Sequence, residues 1–271
     1  MRYKIIFLLS LLIVFSKNIE CSPSLITNPY RNDGFGAQFQ SIIFAAFYAE
    51  LNGMRFAYTP FRQMEHNYND APSFLQKKEN FINFLGNFDL NEDFTLQQVM
   101  SVQRFQDFFD THLFEFLNSK TLKFVKQIFR SNKTKPDYYM NQKLNVAVHI
   151  RRPNSHDSRY EGADIPDHVY LKILDQLRAE YQNQDIQFHL FSQGDLNNFQ
   201  RIYFAKDITL HIDTDLEETF ASMVFADILV TSSSSFSYVA GFLCEGKVFY
   251  IPFWHPPLPS WAVLDIGWTR N

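Results

Sequence analysis

Cysteine and clustered basic residues are both scarce in this chain. Its 271 residues include only Cys21 and Cys244, and its formal net charge is -4. Two cysteines are too few for a disulfide framework or a cysteine-based zinc site. Because no block or stripe of lysine and arginine is present, a nucleic-acid partner is not expected. Any cluster of cations must therefore be local and serve a particular ligand.

Common catalytic and nucleotide-binding signatures are also absent from the sequence. It contains no Gly-x-Ser-x-Gly nucleophile elbow, no His-Glu-x-x-His and no lysine-containing phosphate loop. Gly34 and Gly36 form a Gly-x-Gly pair, but position 39 is Phe where a dinucleotide fingerprint needs a third glycine. NAD and FAD are therefore not predicted as cofactors.

The apolar run near the start of the chain is too short to span a membrane as a helix. It covers residues 5–15, follows Arg2 and Lys4, and falls below the about 20 residues that span a bilayer. This pattern predicts a signal peptide over residues 1–22, with a short uncleaved signal-anchor as the alternative. We expect a protein of the secretory pathway (Golgi or ER lumen) or a secreted one, in contact with a membrane only if the segment is uncleaved. The sequon at Asn132 would then be an N-glycosylation site.

Phenylalanine is abundant, with 30 residues, and predicts an aromatic-rich core. Near the start, a strand at 24–27, a glycine turn, a helix at 37–51 and a strand at 55–58 form a β-loop-α-β unit. Gly34 and Gly36 either bring the backbone close to a ligand at a helix N-terminus or form a plain tight turn. Helical patterns follow, and a polar stretch around Pro136 predicts the boundary between an N-terminal α/β domain, 23–140, and a C-terminal domain, 141–271.

The second half alternates regularly between strand and helix patterns. This alternation predicts an α/β fold with a parallel, doubly wound sheet and right-handed crossovers. The predicted strands cover 145–150, 186–192, 208–212, 228–231 and 248–251.

Polar residues follow three of these strands, at ends that meet on one edge of a parallel sheet. His149, Arg151 and Arg152 follow the first, Ser192 ends the second, and a run of four serines at 232–235 follows the fourth. Arginines and a serine-capped helix N-terminus together match the oxygens of a pyrophosphate. Local ion pairs and simple helix capping are the alternatives for each group alone, but their convergence favours a nucleotide site.

Two aspartates, Asp213 and Asp215, flank Thr214 after the third strand. An Asp-x-Asp at this place holds a cation against a nucleotide-sugar in many metal-dependent glycosyltransferases. The alternative is a helix start, because Thr214-x-x-Glu217 has the spacing of a capping box.

Three of these motifs resemble the α1,2/α1,6/O-fucosyltransferase superfamily. Val148 to Arg152 resembles its His-x-Arg-Arg motif, the sequence at 226–237 resembles a later motif of the α1,2 branch with Ser-Ser-Phe-Ser, and Gly34-x-Gly36-x-Gln38 resembles its N-terminal glycine motif. The motifs occur in the same order as in that superfamily and span most of the chain.

The resemblance implies a GT-B-like fold of two Rossmann-type halves and an inverting glycosyltransferase that transfers fucose from GDP-fucose to a glycan acceptor. No obligatory metal or other cofactor is implied. Arg151 would hold the diphosphate and act in catalysis. The donor-binding residues would be Gly34, Gly36, Gln38, His149, Arg152, Ser192, Asp227, Ser234 and Ser235.

The sequence departs from the superfamily directly after Arg152, where an acidic residue is usual. Asp157 takes that role if residues are inserted, and His156 and Glu161 are the other candidates for the acceptor's base. Two further hypotheses stay open. One is a metal-dependent glycosyltransferase with another nucleotide-sugar, and the other is a secreted, non-catalytic carbohydrate-binding protein on the same scaffold.

Overall fold

The computed structural model describes residues 24–67, 71–91, 100–152, 165–252 and 254–265, and these form an α/β protein. No helix within these ranges is both long and apolar enough to cross a membrane. The first half contains β1 (Leu25–Thr27), α1 (Phe35–Leu51), β2 (Arg55–Ala57), α2 (Phe74–Ile82), α3 (Val102–Thr111), α4 (Leu113–Asn118) and α5 (Lys120–Arg130). The second half contains β3 (Leu144–His149), α6 (Asp167–Glu180), β4 (Ile186–Ser192), α7 (Leu196–Ile202), β5 (Ile208–Ile212), α8 (Leu216–Phe225), β6 (Ile228–Val230), α9 (Ser235–Leu243), β7 (Lys247–Tyr250) and β8 (Ala262–Val263).

The main sheet has six strands in the order β5-β4-β3-β6-β7-β8, and every neighbouring pair is parallel. The chain starts at β3, moves outward to β5, then returns to β6 and moves outward the other way. This is the strand order of a Rossmann fold, and it places a topological switch point between β3 and β6. The α/β class and the parallel, doubly wound sheet predicted for the second half are confirmed.

Strand β3 lies at the centre because both of its faces are apolar. Val146 and Val148 pack into one hydrophobic cluster, whereas Ala147 packs into the other, on the opposite face. A strand buried on both faces is typical of a parallel sheet covered by helices on each side.

Helix α1 is the buried centre of the first half. The β1-α1-β2 unit predicted by the sequence is present, and β1 pairs with β2 in parallel. Of the 17 residues of α1, 13 are buried, because the helix is apolar on nearly all sides. It contacts β1, β2, α3, α5 and α9. The helix is therefore enclosed by its neighbours and not spread over one surface.

Aromatic rings join α1 to the layer of helices on the sheet. The ring of Phe35 packs edge-on against Phe220 of α8, with centroids 5.4 Å apart, and against Phe236 of α9, at 6.2 Å. The phenylalanine-rich core predicted by composition is thus continuous from α1 to the sheet. The domain boundary near Pro136 stays a prediction.

The capping box predicted at Thr214 is wrong. Helix α8 begins at Leu216 with Asp215 as its N-cap, and the Thr214 hydroxyl instead bonds the Thr219 hydroxyl at 2.7 Å. Asp213 has a left-handed backbone, with φ of 55°, which turns the chain sharply before the helix. This turn moves the helix start one residue beyond the position that the sequence pattern indicates.

Gly36 sets the distance between α1 and α9. A Cβ atom at Gly36 would lie 2.5 Å from both the Cα and the N atom of Phe236. Those backbone atoms cannot rotate away as a side chain can. Only glycine therefore permits the N-terminal ends of the two helices to meet.

We predict that Gly36→Ala destabilises the protein, although alanine is the better helix former. The propensity gain of about 1 kcal/mol is outweighed by overpacking against backbone, and we expect a net loss of about 1–3 kcal/mol. Urea unfolding measures this free energy. Gly34→Ser is the control, since its added Cβ would meet only the end of the His66 side chain, at 3.2 Å. Equal unfolding midpoints for wild type and Gly36→Ala would contradict the predicted contact.

Candidate functional site

A cleft of about 940 Å³ lies along the carboxyl edge of the main sheet. Its sheet side is formed by the residues that follow β3, β4, β5, β6 and β7. Its other side is formed by the start of α1, by α2 and by residues near His66. The cleft contains the switch point between β3 and β6, which is where open α/β sheets bind ligands.

His149, the last residue of β3, is held neutral. Its Nδ1 atom pairs with the Ser232 hydroxyl at 2.7 Å, which links the ends of β3 and β6 across the switch point. Burial, followed by the positive charge of Arg151, lowers the pKa of His149 to about 3. His149 therefore lines the cleft as an uncharged group that positions Ser232. It contributes no positive charge to the binding of a ligand.

The two adjacent arginines have different environments. Arg152 forms an ion pair with Asp167 at the start of α6, and donates to the backbone oxygen of Ile165 at 3.0 Å. Tyr203 donates to the same Asp167 carboxylate at 2.6 Å. These contacts hold Arg152 against α6, although it still lines the cleft. Arg151, half-buried beside it, also lines the cleft.

The serine run begins α9 inside the cleft. Ser234 is the N-cap and accepts a hydrogen bond from the backbone N–H of Phe236 at 3.3 Å. Ser233, Ser234 and Ser235 all line the cleft. The N-terminus of α1, capped by Gly34, meets that of α9 at the Gly36 contact. Two helix N-termini, each carrying a partial positive charge, therefore converge at one place.

Ser192 also lines the cleft, but its hydroxyl is already engaged. It donates to the backbone oxygen of Ile150 at 2.7 Å. Gln193, which follows it, donates to the backbone oxygen of Arg152 at 2.8 Å and lines the cleft too. Both residues hold the loop after β3 in place from the neighbouring strand.

Gly34, Gly36 and Gln38 have separate roles in the structure. The two glycines line the cleft, Gly36 as a packing contact with α9 and Gly34 beside His66. The Gln38 side chain is buried and donates to the backbone oxygens of Asp33 and Gln63, at 2.7 and 2.8 Å. It lies outside the cleft lining and ties the turn before α1 to the segment after β2.

Asp227 is placed far from the cleft. It precedes β6, at the amino end of the strands, where its carboxylate accepts the backbone N–H of Asn145 at 2.9 Å. Its position favours a structural link between β3 and β6 over the donor contact expected from the resemblance. Asp157, with His156 and Glu161, lies outside the described residues. Asn132 is exposed after the end of α5.

Acidic residues line the part of the cleft that follows β5. Asp213, Asp215, Glu217 and Glu218 are among its lining residues. Glu217 is paired with Lys78 of α2 at 2.5 Å, and Asp213 accepts the backbone N–H of Gly194 at 3.2 Å. In the described part of the chain, no three His, Cys, Asp or Glu side chains form a group that could hold a metal ion. The Lys78–Glu217 pair joins sequence regions that no local motif connects.

No protein-family profile and no curated protein matches the sequence. Several solved structures resemble the fold. NodZ alpha-1,6-fucosyltransferase from Bradyrhizobium, co-crystallised with GDP, is 11% identical, with 85% of this chain and 95% of that chain covered and a TM-score of 0.48. The E. coli heptosyltransferase WaaC with ADP-2-deoxy-2-fluoro heptose is 12% identical, with coverages of 89% and 92% and a TM-score of 0.46. POFUT1 in complex with GDP is 11% identical, with coverages of 84% and 98% and a TM-score of 0.42.

We predict that acid destabilises the protein partly through His149. Its pKa of about 3 in the folded state lies below the ordinary value of 6.5. The unfolded chain therefore binds the extra proton first, and stability falls as the pH falls from about 6.5 towards 3. His149 alone contributes up to about 2 kcal/mol of this loss between pH 7 and pH 5.

Urea unfolding of wild type and His149→Gln at pH 7 and pH 5 measures this effect. The variant should lose less stability between the two pH values than wild type does. His168→Gln, at an exposed position of α6, is the control and should follow wild type. The same pH dependence in wild type and His149→Gln would show that the histidine is not held neutral.

Proposed function

We propose that the chain is a glycosyltransferase that binds GDP-fucose in the cleft and transfers fucose to a glycan acceptor with inversion. The observation that supports it best is the convergence of Arg151 with the N-termini of α1 and α9 at the switch point. No other part of the described chain combines a cation, two helix N-termini and free space.

The electrostatics of this place suit a diphosphate. Each helix N-terminus is equivalent to roughly half a positive charge, and Arg151 adds a full one. Neutral His149 adds none, and it holds Ser232 so that α9 begins beside Arg151. The carboxylates after β5 repel phosphate, so the diphosphate would occupy the β3 and β6 part of the cleft.

Transfer of the sugar breaks the bond between its anomeric carbon and the diphosphate. Negative charge develops on the leaving GDP, and a prepositioned guanidinium stabilises it most in the transition state. Arg151 would supply this stabilisation, with Ser234 and Ser235 as hydrogen-bond donors to phosphate oxygens. Asp157 remains the proposed base that takes the acceptor's proton.

The identity of the sugar rests on the sequence motifs. His149-x-Arg151-Arg152 and Ser234-Ser235-Phe236-Ser237 sit at the end of β3 and the start of α9, next to each other in the cleft. Their resemblance to fucosyltransferase motifs favours GDP-fucose as the donor. An arginine and two helix N-termini can neutralise the leaving group, so we propose that no metal is obligatory.

We predict that the full-length protein binds GDP in the presence of EDTA and that Arg151→Ala weakens this binding. Loss of a charge-assisted contact of about 1.5–3 kcal/mol corresponds to roughly a tenfold to hundredfold loss of affinity. Isothermal calorimetry measures it. Transfer from GDP-fucose should fall by about a hundredfold or more.

Two other arginine variants separate ligand binding from folding. Arg201→Ala removes an exposed arginine of α7 and should leave GDP affinity unchanged. Arg152→Ala breaks the ion pair with Asp167 and should lower the melting temperature. GDP binding that requires a divalent cation would favour the metal-dependent alternative at Asp213 and Asp215. Equal GDP affinity of wild type and Arg151→Ala would refute the proposal that Arg151 binds the diphosphate.

We also propose that the protein works in the lumen of the secretory pathway or outside the cell. The N-terminal apolar run supports entry, and Asn132 is exposed at the end of α5, where a glycan would not disturb the core. Protein expressed in a eukaryotic cell should shift to lower mass after peptide-N-glycosidase treatment, and Asn132→Gln should abolish the shift. An unglycosylated wild-type chain would argue against passage through the lumen.

A further inference from the structure

One aromatic side chain that lines the cleft is about half exposed. Trp254 lines the cleft and is 49% exposed. The other large aromatic residues of the described cleft lining, Phe35, Phe74, Phe191 and Phe236, are buried or half-buried. Trp254 is therefore the most exposed large aromatic residue of the described cleft lining.

The two residues after Trp254 are held by buried polar contacts. The next residue, His255, is 4% exposed, its Nε2 accepts from the Gln40 amide at 2.8 Å, and its ring stacks on Tyr238 with centroids 5.0 Å apart. Tyr238 donates to the backbone oxygen of Pro256 at 2.6 Å, and Tyr250 donates to that of His255. An exposed ring on such a loop is preorganised, which reduces the entropic cost of binding.

The position of the loop defines one side of the cleft. Gln40 and Phe44 of α1 both contact His255, with the Phe44 and His255 ring centroids 6.3 Å apart. Ala37, one helical turn before Gln40 on the same face, lines the cleft. Trp254 therefore belongs to a side formed by the end of β7 and the small residues that begin α1.

The β7 end of this side lies away from Arg151, which follows β3, and opposite the acidic side, which follows β5. Strand β7 is two strand spacings from β3, which is about 10 Å along the sheet edge. Asp213 and Asp215 follow β5, on the other side of β3. If the diphosphate lies at the centre, the nucleoside and the acceptor occupy opposite sides of it.

The chemistry of the two sides differs. Carboxylates after β5 accept hydrogen bonds from ribose hydroxyls, as an acidic residue does in Rossmann folds. An indole face offers a flat, apolar surface with little conformational freedom, which suits the C–H face of a neutral sugar ring. The β7 side therefore fits the acceptor better than the nucleoside.

We propose that Trp254 is a stacking platform for a neutral pyranose ring of the acceptor glycan. This inference rests on the proposed function, because it is the donor's place that identifies the other ligand as the acceptor. The ring of Trp254 supplies the surface, and Gln40, Tyr238 and Tyr250 act as positioning residues that hold its loop.

Glycan binding by the full-length, GDP-loaded protein tests the proposal. The probes are lactose, N-acetyllactosamine and chitotetraose, measured by calorimetry and by saturation-transfer NMR. Trp254→Ala should weaken binding of the probe that wild type binds by about fivefold to tenfold. Trp254→Tyr, which keeps an aromatic face, should retain most of that binding. Phe204→Ala is the matched control, because Phe204 is 91% exposed and lies outside the cleft lining.

GDP affinity separates this proposal from the proposed function. It should be the same in wild type and Trp254→Ala, and all variants should melt at the wild-type temperature, since the ring is exposed. A loss of GDP affinity in Trp254→Ala would overturn the proposal, because the ring would then hold the base. Glycan binding that is independent of Trp254, or no binding of any probe by wild type, would overturn it as well. If wild type does not bind GDP but binds a glycan through Trp254, the proposed GDP-fucose donor is wrong, whereas the proposed role of Trp254 in glycan binding is supported.

Discussion

The contact between Gly36 of α1 and the backbone of Phe236 in α9 is the constraint on which the cleft depends. Because no Cβ separates them, the first turns of the two helices approach each other, and both N-termini open onto the end of β3. The surrounding phenylalanine rings hold the helices in this arrangement, since Phe35 touches both Phe220 and Phe236. Without this approach, each helix N-terminus would be an isolated and weak anion site.

Two of the cations that line the cleft form ion pairs with carboxylates of the protein. Asp167 engages Arg152, and Glu217 engages Lys78, so both cations hold elements in place. His149 carries no charge at neutral pH because burial and Arg151 lower its pKa to about 3. The positive field at the switch point therefore comes from Arg151 and the helix N-termini, while carboxylates line the β5 side and a tryptophan lines the β7 side. This distribution of charge along the sheet edge suits a ligand with a charged centre and two uncharged ends.

Local sequence patterns predicted five of the six strands of the main sheet within one residue, because regular alternation of apolar runs reports burial directly. Strand β8 was not predicted, since its two residues, Ala262 and Val263, are too few to form a pattern. The sequence patterns also predicted that Arg151, Ser192, Ser234 and Ser235 lie at one edge, since the carboxyl ends of parallel strands meet there. The capping box failed because the left-handed backbone of Asp213 turns the chain before α8. Lys78 and Trp254 were missed because neither belongs to a motif.

Local patterns in the sequence were enough to predict the α/β class, the parallel sheet of the second half and the chemical character of three strand ends. The tertiary fold pairs Arg152 with Asp167, which lies 15 residues further along the chain, while Arg151 and Arg152 both line the cleft. It also places Asp227 at the amino end of the sheet and Trp254, 49% exposed, in the cleft lining. The physical reason is that a local pattern reports burial and backbone preference, whereas the partner of a side chain depends on segments distant in sequence that folding brings together.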